Sequence, residues 1–235
     1  MRIALFGGSF DPPHRGHVAL ARLAVNRLHL DRILVAPVGR QPLKHEATSA
    51  SFEDRIAMAQ LAFAGEPFTE VSRADAPRQD GRPNYTIDSV TDLKRTLGNG
   101  DTLFCLLGAD AWLTIGKWYR AAELLMACDF IVGARPGFDI GQIPRALPGG
   151  IHAVGEQPGS PGCLISRLSD LDGHRSHLYL LPDLAEDVSA TEVRAALNHP
   201  MDRHTDPGAV LSPGVANYIH AHMLYRADTS TNSLL

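Results

Sequence analysis

Short apolar runs alternate with segments of helical periodicity along most of this 235-residue chain. The first run, residues 3–6, ends at two glycines, and apolar residues then recur at helical spacing over 18–28. Alternation of this kind predicts βαβ units and a parallel sheet with helices packed on both faces. We therefore expect an α/β protein with a doubly wound, Rossmann-like sheet, whose ligands bind at the carboxyl ends of the strands.

The predicted elements cover most of the chain. We predict strands over residues 3–6, 33–36, 68–71, 102–107, 130–134 and 178–181. We predict helices over residues 18–28, 51–63, 86–97, 111–126, 190–197 and 215–224, the fourth being interrupted near 116–118. Residues 136–162 are rich in glycine and proline, and we expect no regular element there. The expected organisation is a single domain over 1–225, with an extended excursion at 136–187, and a disordered polar tail at 226–235.

Composition narrows the range of functions. The chain has 22 Lys and Arg against 26 Asp and Glu, and this mild acidity is unsuited to broad nucleic-acid binding, so no nucleic-acid partner is expected. No apolar run reaches the length of a membrane span, and the first run is too short for a signal peptide. Cys105, Cys128 and Cys163 are odd in number and lack C-x-x-C spacing, which favours buried free thiols. We expect a soluble, cytoplasmic protein with no membrane contact.

The loop after the first strand carries the strongest functional signal. It reads Gly7-Gly8-Ser9-Phe10-Asp11-Pro12-Pro13-His14-Arg15-Gly16-His17. Glycines let the backbone approach a ligand, and the helix start that follows offers free N–H groups and a positive dipole end to an anion. The spacing of His14 and His17 places both imidazoles on one side of this helix start, where they could contact one phosphate. Two histidines that merely cap the helix, or a zinc site without a visible third ligand, are the alternatives.

Two common phosphate-binding loops are excluded. No Gly-Lys-Ser/Thr follows the glycines, as a Walker A loop requires, and the G-x-G-x-x-G pattern of dinucleotide dehydrogenases is absent. A second candidate lies at residues 188–194, Val-Ser-Ala-Thr-Glu-Val-Arg. Ser189 and Glu192 have capping-box spacing for a helix start, and Arg194, one turn further, could bind a phosphate in bidentate fashion. Alone, this segment indicates only a capped helix.

Together the two segments resemble the nucleotidyltransferase superfamily that carries an H-x-G-H motif. Gly8-Ser9-Phe10-Asp11-Pro12 with His14-x-Gly16-His17 matches its first signature, and residues 188–194 are similar to its I-S-x-T-x-x-R motif. Four further segments resemble bacterial nicotinate-nucleotide adenylyltransferases. They are Pro42-Leu43-Lys44 (P-P-H-K in the family, with Gln41 and Leu43 departing), Asn84-Tyr85-Thr86-Ile87-Asp88 (S-Y-T-x-D, with Asn84 for Ser), Gly108-Ala109-Asp110 with Lys117-Trp118 (G-x-D and K-W), and Arg135-Pro136-Gly137 (R-P-G).

The resemblance implies roles for the matching residues. The catalytic set it implies is His14, His17, Lys44 and Arg194. ATP would contact Gly7, Gly8, Ser9, Phe10, Gly16, Gly108, Asp110, Ser189 and Thr191. The nicotinate nucleotide would contact Thr86, Trp118, Tyr119 and Arg135, with the aromatic side stacking on the pyridine ring.

Several of these side chains also have simpler interpretations. Lys44 would then be a solvated loop lysine, Trp118 a core anchor, Asp110 a helix N-cap and Arg135 half of a surface ion pair. Three loop arginines, Arg73, Arg78 and Arg82, are expected to be solvated charges.

The activity implied by the resemblance is adenylyl transfer from ATP to nicotinate mononucleotide, which yields nicotinate adenine dinucleotide and pyrophosphate in NAD biosynthesis. Mg²⁺ is the expected cofactor, bound mainly through the ATP phosphates and without a dedicated protein metal site. ATP and nicotinate mononucleotide are the expected partners, and the sequence leaves open whether the chain forms a homo-oligomer. The alternatives are an adenylyltransferase for nicotinamide mononucleotide or phosphopantetheine, and a non-catalytic nucleotide-binding domain.

Overall fold

In the part of the chain that the structure describes, eight strands form one central sheet. The computed structural model describes residues 1–42, 49–135, 137–158, 161–186, 188–198 and 207–226. The strands are β1 (Arg2–Gly8), β2 (Arg32–Pro37), β3 (Thr69–Val71), β4 (Thr102–Gly108), β5 (Asp129–Gly133), β6 (His152–Pro158), β7 (Leu164–Ser169) and β8 (Arg175–Leu181). All six predicted strands are present, each with bounds shifted by a few residues at most.

The α-helices connect and cover these strands. They are α1 (Arg15–Leu28), α2 (Phe52–Phe63), α3 (Thr86–Thr96), α4 (Ala109–Trp112), α5 (Ala121–Ala127), α6 (Ala190–Asn198), α7 (Pro207–Val210) and α8 (Pro213–Ala221). The predicted interruption of the 111–126 helix is confirmed, because a short 3₁₀ turn, Ile115–Lys117, separates α4 from α5. Helix α7 was not predicted.

The sheet has the order β3-β2-β1-β4-β5-β8-β7-β6. From β3 to β8 neighbouring strands are parallel, with Leu5 opposite Leu34 on one side and Cys105 on the other. The chain leaves β1 toward β2 and β3 and later returns to β4 on the other side of β1. This reversal opens a crevice at the carboxyl ends of β1 and β4, where α/β sheets bind ligands.

Successive residues of the central strands pack on opposite faces of the sheet, and both faces are buried. In β1, Ile3 and Leu5 belong to the cluster formed with α3 and α5, whereas Ala4 and Phe6 belong to the cluster formed with α1 and α2. A strand buried on both faces needs apolar residues throughout, which explains the continuous apolar runs in the sequence. The predicted α/β fold with helices on both faces is confirmed.

The prediction that residues 136–162 hold no regular element was wrong. Strand β6 lies there, and 3₁₀ turns occupy Ile140–Gln142 and Pro144–Ala146. Strand β7 was also missed. It pairs antiparallel with both β6 and β8, so the parallel sheet ends in an antiparallel extension. The antiparallel strands need no crossover helix, and turn-forming residues separate them, so the strand signal is masked by glycine and proline.

Two smaller expectations can be compared with the structure. Cys105, Cys128 and Cys163 are buried free thiols, as predicted. Within the described residues, no helix is both long and apolar enough to cross a bilayer.

Candidate active site

A cavity of about 570 Å³ opens at the carboxyl ends of β1 and β4. Its volume is in the range of small-molecule sites. Every residue that the sequence predicted for the site lines this cavity, apart from Lys44. Lys44 belongs to 43–48, which lie outside the described residues. The structure therefore brings together residues that are as far apart in sequence as Gly7 and Arg194.

The first loop is packed so closely that two of its glycines have little room for a side chain. A Cβ on Gly8 would approach the ring of Phe10 to 3.2 Å, and one on Gly16 would lie 3.1 Å from the His14 imidazole. Gly7 and Ser9 complete this wall of the cavity. A methyl group at position 16 would therefore press on the His14 ring, which would have to shift by a few tenths of an ångström to admit it.

Phe10 supports the histidine pair from the core side. Its backbone adopts a φ of 48°, and its side chain is almost fully buried. The Phe10 ring centroid lies 4.9 Å from that of His17 and 5.3 Å from that of Phe6, the latter in an edge-on contact. A ring in this position restricts the imidazole of His17 to one orientation.

His14 and His17 form a close pair at the start of α1, with their ring planes tilted by 37°. His14 is the N-cap residue, and its ring centroid lies 3.8 Å from that of His17. The backbone N–H of His14 donates to Nδ1 of His17 at 3.2 Å, while the His17 N–H donates to the His14 carbonyl at 2.9 Å. Because Nδ1 of His17 accepts a hydrogen bond, neutral His17 carries its proton on Nε2. That N–H is then available as a donor.

Both imidazoles are neutral at pH 7. Burial, and then the positive charge of Arg135, lower the pKa of His14 from 6.5 to about 4. Burial, and then the neighbouring His14, lower the pKa of His17 well below its usual range. Nδ1 of His14 is buried and has no hydrogen-bond partner among the described residues. A bound anion would favour protonation of this pair, because it would bring an opposite charge close to the imidazoles.

The start of α6 lies beside the first loop and also lines the cavity. The predicted capping box is confirmed, since the Ser189 N–H donates to Glu192 at 3.0 Å and the Glu192 N–H donates to Ser189 Oγ at 3.2 Å. One Nη of Arg194 donates to the backbone carbonyl of Asp11 at 2.7 Å, and the other is 3.4 Å from Thr191 Oγ1. The guanidinium is thereby fixed beside the first loop. An anion in the cavity would meet this positive charge together with the N–H groups of two helix starts.

Aromatic side chains also line the cavity. Trp118 is half-buried against the core, and its Nε1–H donates to Thr114 Oγ1 at 3.1 Å. Tyr119 is exposed, with its ring 4.3 Å from that of Tyr85, which sequence analysis did not single out. Thr86 follows Tyr85 as the first residue of α3. Trp118 is thus both a core contact and a wall of the cavity, suited to stack on a flat ring.

Asp110 and Arg135 form an ion pair across the ends of β4 and β5. Asp110 is not an N-cap, because Gly108 holds that position in α4. Arg135 does form the ion pair that was its simpler interpretation. Its partner, Asp110, is itself a predicted site residue, and both line the cavity. The three loop arginines are exposed and paired with carboxylates, Arg73 with Glu53, Arg78 with Asp80 and Asp88, and Arg82 with Asp80.

Sequence analysis missed a buried polar group beneath the first loop. Arg55 is fully buried, and one Nη donates to the carbonyls of Ser9 and Val38, each at 2.8 Å. Asp11 and Tyr225 are also buried, and the Tyr225 hydroxyl donates to Asp11. Asp11 lies inside the first loop and could have been noticed there, whereas no local sequence pattern indicates that Arg55 or Tyr225 is buried near the site.

Both a protein family and individual proteins are similar to this chain in sequence. Residues 5–196 match the model of the cytidylyltransferase-like family. A probable nicotinate-nucleotide adenylyltransferase of Laribacter hongkongensis is 36% identical over 97% of this chain and 96% of its own length. One of Moorella thermoacetica is 32% identical, over 96% of this chain and 92% of its own length.

Solved structures share the fold. The Plasmodium falciparum nicotinic acid mononucleotide adenylyltransferase complexed with NaAD aligns with a TM-score of 0.68 and 18% identity, over 95% of this chain and 97% of its own. The same enzyme complexed with APC gives a TM-score of 0.67 and 20% identity, over 95% and 96% of the two chains. At these identities the likeness supports the fold alone.

Proposed function

Because the chain belongs to the nicotinate-nucleotide adenylyltransferases of the cytidylyltransferase-like family, we propose that it transfers the adenylyl group of ATP to nicotinate mononucleotide. The products are nicotinate adenine dinucleotide and pyrophosphate. The observation that carries this proposal is that two kinds of side chain line one cavity. His14, His17 and Arg194, which we call the phosphate end, are linked through the first loop, and Trp118 and Tyr119 add aromatic faces, the latter beside Tyr85.

The reaction needs no general base. The 5′-phosphate of nicotinate mononucleotide is anionic at pH 7 and attacks the α-phosphorus of ATP in line. A bond forms between a phosphate oxygen and the α-phosphorus, and the bond from the α-phosphorus to the pyrophosphate oxygen breaks. The protein then has to position two anions and stabilise the charge that develops on the transferred group and on the leaving pyrophosphate.

The residues of the phosphate end suit that task. His17 offers Nε2–H as a fixed donor, because its other nitrogen is held by the His14 backbone. A preorganised donor in a buried site stabilises developing charge more than the same donor in water. Arg194 supplies the positive charge. Gln41 and Pro42 line the cavity shortly before Lys44 in sequence, so we assign Lys44 to the phosphates as well.

The aromatic faces would hold the pyridine ring. Stacking on Trp118 contributes about 0.5–1.5 kcal/mol beyond burial. The start of α3 at Thr86 offers backbone N–H groups, which suit a carboxylate and favour the acid nucleotide over its amide. Arg135 also lines the cavity, and we assign it to the same nucleotide, with its guanidinium paired to Asp110 and its charge reaching His14.

The carboxylates in the cavity fit a Mg²⁺ ion held mainly by the nucleotide. Asp75, Asp110 and Glu186 line the cavity, but Asp75 bonds to Ser89 and Asp110 pairs with Arg135. Mg²⁺ typically takes one or two carboxylates together with substrate phosphates and water. When bound, it would neutralise part of the triphosphate charge. In the described part of the chain, three potential ligands come together at Asp170, Asp172 and His174, in the turn between β7 and β8 and outside the cavity lining.

The experiment is a product analysis with ATP labelled at the α-phosphate. The proposal expects label in nicotinate adenine dinucleotide, and unlabelled pyrophosphate in equal amount. ATP binding without pyrophosphate release would instead support the non-catalytic alternative and contradict the proposal. When a His17 variant is put through this assay, His220→Ala is its matched control, because His220 is exposed on α8 and does not line the cavity.

A further inference from the structure

Asp11 places a buried negative charge next to a site for anions. It is 4% exposed, and its carboxylate accepts hydrogen bonds from the N–H groups of Ser49 and Ala50 at 2.7 and 3.1 Å and from the Tyr225 hydroxyl at 2.6 Å. A carboxylate so placed repels phosphate and gains nothing from substrate. Its three donors all come from other parts of the chain, which points to a role in holding those parts together.

The partners of Asp11 lead to three elements of the phosphate end. Its backbone carbonyl accepts from Arg194 at 2.7 Å. Its carboxylate fixes Ser49 and Ala50, which directly follow the segment that carries Lys44. Asp11 itself belongs to the loop between β1 and His14. One residue therefore links the first loop, α6 and the backbone of Ser49 and Ala50.

Arg55 and Tyr225 complete this buried group. Arg55 is held by the Ser9 and Val38 carbonyls, and the negative charge of Asp11 opposes the lowering of the Arg55 pKa that burial causes. Tyr225 follows α8 and packs in the cluster of Met58, Val193 and Ile219. Burial, and then its bond to Asp11, raise the pKa of Tyr225, so its hydroxyl remains a donor throughout the working range of pH.

We propose that Tyr225 is a positioning residue for adenylyl transfer, whose hydroxyl holds the Asp11 carboxylate and, through it, the first loop, Arg194 and the Ser49–Ala50 backbone. This inference rests on the proposed function, since it assigns those elements to the ATP phosphates. Tyr225 does not line the cavity. It acts 214 positions away in sequence, through a single hydrogen bond to a carboxylate.

The test compares Tyr225→Phe with Tyr218→Phe. Each variant removes the hydroxyl of a tyrosine in the C-terminal region, and each hydroxyl donates to an aspartate. The partner of Tyr218 is Asp54, at 3.0 Å, whereas that of Tyr225 is Asp11. We expect Tyr225→Phe to lower kcat/KM for ATP about tenfold, the scale of a lost hydrogen bond to a charged group. KM for nicotinate mononucleotide should change less than about twofold, and Tyr218→Phe should leave both constants within about twofold.

A second comparison separates positioning from stability. Asp11→Asn keeps an acceptor for Tyr225 and should retain more activity toward ATP than Asp11→Ala. The double variant Asp11→Ala/Tyr225→Phe should have the same kcat/KM for ATP as Asp11→Ala alone, because the two residues act through one hydrogen bond. Additive losses in this cycle, or equal losses of kcat/KM in Tyr225→Phe and Tyr218→Phe, would overturn the proposal.

Amide hydrogen exchange gives a readout that does not depend on activity. Tyr225→Phe should raise exchange at Ser49 and Ala50, whereas Tyr218→Phe should not. If the wild-type protein transferred no adenylyl group but this pattern held, the proposed function would fail while the link from Tyr225 to Asp11 stood. Unchanged exchange at Ser49 and Ala50 in Tyr225→Phe would overturn the link itself.

Discussion

The backbone N–H of His14 donates a 3.2 Å hydrogen bond to Nδ1 of His17, so the two histidines fix one another at the start of α1. This bond requires an unprotonated Nδ1 and leaves Nε2–H of His17 as the donor. The pair therefore has two separable roles. It caps a helix through one nitrogen, and it can contact a phosphate through the other.

His17→Asn separates these roles. Its side-chain oxygen can replace Nδ1 as the acceptor for His14, but it offers no donor at the position of Nε2. We expect turnover to fall at least about 100-fold, as for the loss of a donor to a transition-state oxyanion, while the melting temperature stays closer to wild type than that of His17→Ala. Steady-state assays and thermal unfolding measure the two effects. Near wild-type turnover in either variant would show that the His17 side chain is not part of the chemistry.

Stability should depend on pH through His14. Its pKa is about 4 in the folded protein against 6.5 ordinarily. Between these pH values the unfolded chain binds more protons than the folded protein. The contribution of His14 to the free energy of unfolding is therefore complete above pH 6.5, and about 3 kcal/mol of it is lost as the pH falls toward 4. Urea unfolding of the wild type and His14→Asn over this range should give free energies of unfolding whose difference changes with pH. A difference that stays constant would show that His14 titrates normally.

Gly16→Ala should damage activity through His14. The added methyl group would lie 3.1 Å from the imidazole, whereas a Cβ on Gly100 would meet no atom within 4 Å. We expect turnover to fall at least about tenfold in Gly16→Ala, since misplacing a catalytic group by a fraction of an ångström has costs of this size, and to be unchanged in Gly100→Ala. Equal turnover in the two variants would mean that the His14 ring is free to move or is not needed.

Trp118 should contribute to binding of the pyridine nucleotide but not of ATP. Removing an aromatic stack costs about 0.5–1.5 kcal/mol, so Trp118→Ala should weaken nicotinate mononucleotide about two- to tenfold. Trp118→Phe should have a smaller effect. Titration calorimetry with each nucleotide measures this, and equal weakening of both nucleotides would indicate a general loss of structure. Trp112 is a poor control, because it is fully buried and bonds to the Ile143 carbonyl.

The two helix starts that line the cavity were predictable because the sequence signals for them are local. The spacing of His14 and His17 after a strand, and of Ser189 and Glu192 before a helix, determines what each helix start can present. Strands β6 and β7 were missed because an antiparallel hairpin at the edge of a sheet needs few apolar residues, and glycines interrupt its pattern. The pairs Asp110–Arg135 and Asp11–Tyr225 join residues distant in sequence, and no periodicity or spacing within one segment reports them.

The most direct test of the central claim is a side-by-side assay of the purified protein with ATP and each candidate acceptor. With nicotinate mononucleotide we predict nicotinate adenine dinucleotide and pyrophosphate in equal amounts. We also predict a kcat/KM at least about tenfold above that for nicotinamide mononucleotide, because a site built for a carboxylate leaves its donors unpaired against an amide. Phosphopantetheine should not react. A higher kcat/KM for the amide nucleotide or for phosphopantetheine, or no pyrophosphate with any acceptor, would contradict the account.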